Sequence, residues 1–290
     1  MTHRAIALST LVLTAALGGI PVAASAGPAE EAIKLAPHRA VYDLKLSQTR
    51  KKQNVEGVRG RILYDFAGNE CEGYALQFRQ VSEIAMGGDD SKVAVSDLRA
   101  TTWEDPTAKS FRFNSQNFLN DKLESAVDGK AERSAADTGV SLNKPDAKKF
   151  ALQSGIIFPT EHIRRIITAA REGKTILELP VFDGSENGEK VYETLSVIGP
   201  PIDPEIKKPT DAAAQEPAMA ALKRWPVTIS YFDKAEKDSK TKSGEQTPVY
   251  SIAFELYENG VSRALTLDYN EFVVSGEMTK LEVKPVTACK

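Results

Sequence analysis

Apolar and polar residues alternate with a period of two through most of this chain, and that period constrains its fold more than any other feature. Val58, Gly60, Ile62, Tyr64 and Phe66 share one parity, while Arg59, Arg61 and Asp65 share the other. Tyr74, Leu76 and Phe78 alternate with Ala75, Gln77 and Arg79. Near the C-terminus Tyr250, Ile252, Phe254 and Leu256 oppose Ser251, Ala253 and Glu255, and Leu265, Leu267 and Tyr269 oppose Thr266 and Asp268. Successive side chains of a strand point to opposite faces, so each stretch reads as a strand with one buried and one solvated face. That is the pattern of antiparallel sheets. Roughly a dozen or more strands are expected on this basis. Turn residues punctuate them at Gly68-Asn69, Gly87-Gly88, Asp128-Gly129, Asp183-Gly184 and Asn259-Gly260. The last pair is the clearest hairpin signal and predicts a type I′ turn, in which both central residues take positive φ.

One segment departs from this period. Phe158-Pro159-Thr160-Glu161-His162 opens a helix, with Thr160 as the expected N-cap and Glu161 in the first turn. Ile163, Ile166, Ile167 and Ala170 follow at helical spacing, and Gly173 is a natural stop. A lone helix with an apolar stripe must bury it against a sheet. The expected fold is mainly β: a large, strongly curved antiparallel sheet with one principal α-helix packed on its concave side. Prolines at 200, 201, 204, 209 and 217 interrupt any regular element between Pro200 and Leu222. That stretch reads as an exposed loop inserted in one domain at about 200–222, with a short helix expected at Ala218–Arg224. Lys234–Glu245 reads as a second, charged surface loop.

The N-terminus places the chain. Arg4 precedes an apolar run from Ala5 to Ile20, and Ala24-Ser25-Ala26 supplies small residues for cleavage. This is the order of a secretory signal peptide over 1–26, leaving a single domain over 27–290. No cysteine lies near the cut, so lipidation is not expected, and no later stretch is long and apolar enough to span a bilayer. The expected address is the periplasm. A formal net charge of −3 with 27% charged residues carries no basic excess that would point to nucleic acid. In an oxidising compartment the chain's two cysteines, Cys71 and Cys289, favour a structural disulfide closing most of the domain. A redox-active pair is the alternative, although no C-x-x-C spacing is present.

Catalytic motifs are sparse. After loss of the leader only His38 and His162 remain, and neither sits in a metal-ligand spacing. There is no G-x-S-x-G elbow, P-loop or dinucleotide fingerprint. His162 reads foremost as a packing or capping histidine, and Glu104, Asp105, Asp183 and Glu186 fall where turns are expected. Trp103 and Trp225 read foremost as core anchors, and Arg50–Lys52 as a solvated turn. No catalytic residue, metal ligand or cofactor is assigned, and the chain is not read as an enzyme.

Several segments carry a resemblance to a known family. Leu35-Ala36-Pro37-His38-Arg39-Ala40-Val41-Tyr42, Cys71-Glu72-Gly73-Tyr74, Thr102-Trp103-Glu104, Phe158-Pro159-Thr160-Glu161-His162, Val181-Phe182-Asp183-Gly184-Ser185 and Trp225-Pro226-Val227 together resemble the EipB family of periplasmic cell-envelope integrity proteins of alphaproteobacteria. The resemblance implies a β-spiral, an incomplete barrel wrapped partly round a helix and similar to the lipoprotein carriers LolA and LolB. It also implies a Cys71–Cys289 disulfide and a role in envelope integrity and stress resistance, with no established catalytic activity. Two functions follow as expectations. In the first, the helix face of Ile163, Ile166 and Ile167 and the concave sheet bind a lipid, a lipoprotein or an envelope protein partner. In the second, the chain is an envelope hydrolase with a site near His162 and Asp183.

Overall fold

A computed structural model describes residues 33–50, 55–87, 92–233, 246–287 and 289. The leader, Lys51 and Lys52, Gly88 and the charged loop at 234–245 lie outside the described residues. Eight strands precede the helix: β1 (His38–Thr49), β2 (Val55–Asn69), β3 (Gly73–Met86), β4 (Lys92–Glu104), β5 (Ser110–Leu119), β6 (Lys122–Arg133), β7 (Thr138–Lys144) and β8 (Lys148–Leu152). The helix α1 (Pro159–Arg171) follows. Six more strands follow among the described residues: β9 (Ile176–Val181), β10 (Tyr192–Ile198), β11 (Arg224–Asp233), β12 (Tyr250–Tyr257), β13 (Ser262–Asp268) and β14 (Phe272–Val283).

All fourteen strands join one sheet in the order β8-β7-β6-β5-β4-β3-β2-β1-β14-β13-β12-β11-β10-β9. It is two antiparallel meanders joined at β1, which pairs with both β2 and β14. Among the described strands, β1–β14 is the only pairing between strands that are not neighbours in sequence. The Cys71–Cys289 disulfide, with Cα atoms 5.8 Å apart and a sequence separation of 218, ties the β2–β3 turn to the tail beyond β14. It therefore braces the joint that local hairpins cannot close.

The expected alternation is visible in burial. Along β1, His38, Ala40, Tyr42 and Leu44 are buried while Arg39 and Lys45 are exposed. The sheet curls until its edges meet: Ile157, just past β8, forms a parallel bridge to Val181 at the end of β9. Two hydrogen bonds make the stitch, Ile157 N–H to Pro180 O at 2.9 Å and Phe182 N–H to Ile157 O at 3.0 Å. Phenylalanines pack this seam, with Phe111 stacked on Phe158 at 5.1 Å and Phe113 edge-on to Phe182 at 5.5 Å. Gly184 lets the chain pass: its φ is +68°, and a Cβ there would meet Phe113 at 2.4 Å. The sheet is nonetheless an open spiral, because no ladder joins β8 to β9.

Because α1 connects the two sheet edges, it crosses the concave side. Ile166 and Ile167 are fully buried and share a core with Phe66, Tyr74, Trp225 and Leu256. Each such side chain contributes about 1.5–3 kcal/mol by leaving water. Gly173 ends the helix at φ +73°, with its N–H bonded to Ala170 O and that of Lys174 to Ala169 O, a Schellman arrangement.

Several local expectations are corrected. The N-cap is Phe158 with Pro159 at the first turn, and no side chain of the segment itself caps the helix. Thr160 is displaced from that role because Glu104, at the end of β4, accepts the N–H groups of Thr160 and Glu161 at 2.7 and 2.8 Å. Asn259-Gly260 does not form a type I′ turn. Gly260 alone takes positive φ, +86°, with Gly260 N–H to Tyr257 O and Tyr257 N–H to Val261 O, a type I turn followed by a bulge. Asp128-Gly129 is no turn but a register shift inside β6, where Gly129 passes close under Phe113 and Leu142. Between 200 and 222 the helical turns are Ala212–Gln215 and Pro217–Met219, and the chain is a strand again from Arg224. This loop is also less exposed than expected: Ala214 and Met219 are buried in the core, and Asp211 pairs with the buried Arg263 at 2.8 Å.

Candidate functional site

Between α1 and the sheet lies a cavity of about 540 Å³. Its wall is built from the inward parity of β1–β4 and β11–β13, with Ile62, Tyr64, Phe78, Ile229, Ile252 and Leu265 among the residues that face it. The helix stripe divides here. Ile163 borders the cavity, whereas Ile166 and Ile167 are sealed in the core behind it.

Both histidines reach the cavity wall. His38 is buried, with Nδ1 2.8 Å from Ala36 O and its ring stacked on Tyr64 at 5.4 Å. Burial lowers its pKa, reinforced by the charge of Lys284. His162 is pushed down to about 4 by burial, with the Glu161 charge opposing, so its imidazole is neutral at pH 7. Its Nε2 lies 3.4 Å from Thr194 Oγ1 and 3.5 Å from Ser196 Oγ. These hydroxyls occupy the buried parity of β10, where alternation alone would suggest apolar residues. The Thr194 hydroxyl already donates to Leu179 O at 2.8 Å.

The four carboxylates separate. Glu104 caps α1, and burial pushes its pKa up to about 7 against the helix N–H groups that favour its charge. Asp105 holds the β4–β5 turn by accepting the Thr107 hydroxyl and N–H at 2.6 and 2.9 Å. Glu186 is engaged by Lys190 at 2.8 Å and by the Tyr192 hydroxyl at 2.8 Å. Asp183 alone faces the cavity, accepting the Ser185 N–H at 2.9 Å. Burial raises its pKa. No hydrogen bond joins Asp183 to His162. Trp225 is a core anchor, but Trp103 is not. It stands on the outward parity of β4, its Nε1 donating to Glu72 O at 3.3 Å and Arg112 lying 5.0 Å over its ring.

Sequence reasoning missed Tyr231 and Tyr250. They stack at 4.4 Å on the cavity wall, with Tyr192 edge-on to both. Their inward parity in β11 and β12 was the available signal. Among the described residues no group of three or more His, Cys, Asp or Glu side chains is placed to hold a metal ion. Also among them, no helix is long and apolar enough to cross a membrane.

Comparison with known proteins places this architecture. The chain is 36% identical over 260 residues to the cell envelope integrity protein EipB of Brucella abortus (strain 2308), covering 90% of this chain and 88% of that protein. It superposes with a TM-score of 0.78 on the crystal structure of a β-barrel-like protein of a domain of unknown function, also from Brucella abortus, at 35% identity. That match covers 88% of this chain and all of the other. The EipB-like family model matches residues 29–285, which is almost the whole of the open sheet, its helix and the cavity between them, and the chain belongs to that family.

Proposed function

We propose that this chain is a non-catalytic periplasmic protein that serves cell-envelope integrity by holding an apolar chain, from a lipid or lipoprotein, in the cavity beneath α1. The observation that carries this reading is the cavity itself. It is about 540 Å³ in size and lined chiefly by aliphatic and aromatic side chains, within the range of small-molecule sites and with their mostly apolar character. The envelope role is supported by the name of the Brucella relative. The disulfide and the leader read from the sequence support an oxidising, extracytoplasmic address.

A hydrolase at His162 and Asp183 is less well supported. A general base needs a nucleophile within reach of both itself and the substrate. The hydroxyls beside His162 belong to Thr194 and Ser196, which are buried and do not border the cavity.

Native mass spectrometry of protein purified from its own periplasm tests the proposal. Co-purifying lipid is expected, and Ile252→Trp, which fills the cavity, should lose it and fail to restore stress resistance in a null strain. Absence of any bound lipid, together with no lipoprotein partner in periplasmic cross-linking, would overturn it. If His162→Ala and Asp183→Asn both restore resistance, the hydrolase reading fails independently.

A further inference from the structure

The charges around the cavity are one-sided. Among the described residues no lysine or arginine borders it, and the carboxylates that do are Asp183 and Asp268. The two histidines there both have lowered pKa values and contribute no positive charge at pH 7. Asp268 is already satisfied by the Arg50 guanidinium through two hydrogen bonds of 2.6 and 2.7 Å. Asp183 differs. Its bonds come from Ser185 and from its own backbone, and the charge acting on it, Glu186, has the same sign. Even a half-buried carboxylate without a counter-ion is costly, and a cation brought beside it removes that cost.

The neighbouring surface suits such a cation. Tyr231 and Tyr250 stand at the cavity wall as a stacked pair only 14° from parallel, and the Asp183 charge reaches both phenols, adding to the effect of burial on each. Aromatic faces attract cations, more strongly when desolvated. Just behind them, the ammonium of Lys190 meets both Glu186 and Asp233, at 2.8 and 3.1 Å. Among the described residues, the charge that faces the cavity without a counter-ion is that of Asp183. An anionic head group would meet repulsion there, and a neutral one would gain nothing from it.

We infer that the cavity selects a single-chain amphiphile with an ammonium head, its tail along the Ile163 side and its charge between Asp183 and the Tyr231–Tyr250 pair. This rests on the binding function proposed above and specifies its ligand class.

The test uses the full mature chain, delipidated, and three probes of equal tail length below their micelle concentrations: dodecyltrimethylammonium, dodecyl maltoside and dodecyl sulfate. Calorimetric titration should show the ammonium probe binding about tenfold more tightly than the maltoside, with the sulfate weakest. Asp183→Asn is nearly isosteric and leaves every surface carboxylate in place. It should bring the ammonium and maltoside affinities to within about twofold of one another. Equal affinity for the three heads in the wild-type protein overturns the inference alone, as does a preference that survives Asp183→Asn. Failure of all three probes to bind overturns the cavity-binding function, and the inference with it. The wild-type comparison stands even if the variant does not fold.

Discussion

Ile166 and Ile167 on one flank of α1 are fully buried with Trp225 and Leu256, whereas Ile163, one turn away, borders a cavity of about 540 Å³. The same helix stripe thus seals one end of the spiral and leaves the other open. The sealed end also holds the Glu104 cap and the disulfide beside Tyr74, so stability should concentrate there. The open end has the Tyr231–Tyr250 stack and the unneutralised Asp183. Clefts are tolerated where neighbouring packing carries the fold, and this division leaves the cavity open.

The largest effect should come from cutting the brace at the sealed end. Removing the disulfide by Cys71→Ser with Cys289→Ser should cost up to about 5 kcal/mol by loop-closure entropy, read as a lower urea midpoint. An unchanged midpoint would show that the β1–β14 joint holds without it. Next, Ile167→Ala should cost about 3–4 kcal/mol, because the site is close-packed on every side and cannot collapse. A loss below about 1 kcal/mol would mean that the flank is not sealed.

The first turn of α1 and its cap predict a pH signature of opposed signs. The folded pKa of His162 lies at about 4, below its ordinary 6.5, so its stabilising contribution is complete above 6.5 and is lost as pH falls through 4. The folded pKa of Glu104 lies at about 7, above its ordinary 4.5. Its contribution is complete below 4.5 and is lost as pH rises through 7. Each amounts to about 3 kcal/mol at most, and across pH 4.5–6.5 they oppose one another. Wild-type stability should therefore be nearly flat over that window. His162→Gln should become more stable as pH falls, and Glu104→Gln less stable; parallel curves for the two variants would refute this assignment. The smallest effect belongs to the open flank: Ile163→Ala should cost about 1 kcal/mol or less in stability while weakening binding of a dodecyl probe. A stability loss matching that of Ile167→Ala would erase the distinction between the flanks.

Much of the fold was legible because burial follows the period of the side chains. The alternation at Val58–Phe66 and Tyr250–Leu256 marks strands that exist, and the Ile163–Ala170 stripe marks the one α-helix among the described residues. The site was legible only in fragments. His162 and Asp183 were visible as residue types, but nothing local showed that both reach one cavity, or that Tyr231 and Tyr250, which lie 19 positions apart, stack there. Thr160 looked like a cap because capping is judged from neighbours in sequence, while the carboxylate that caps α1 comes from Glu104, 56 residues away.

Local chemistry by itself determined strand identity, the helix and its Gly173 stop, because periodicity and turn conformations are settled within a few residues. Tertiary structure alone decided which strand pairs close the sheet, which flank of the stripe is sealed, and which carboxylate is left without a counter-ion. Those outcomes depend on β1 meeting β14 and on the seam between Ile157 and Val181. Contacts made over such chain separations leave no periodic trace in the residues that form them.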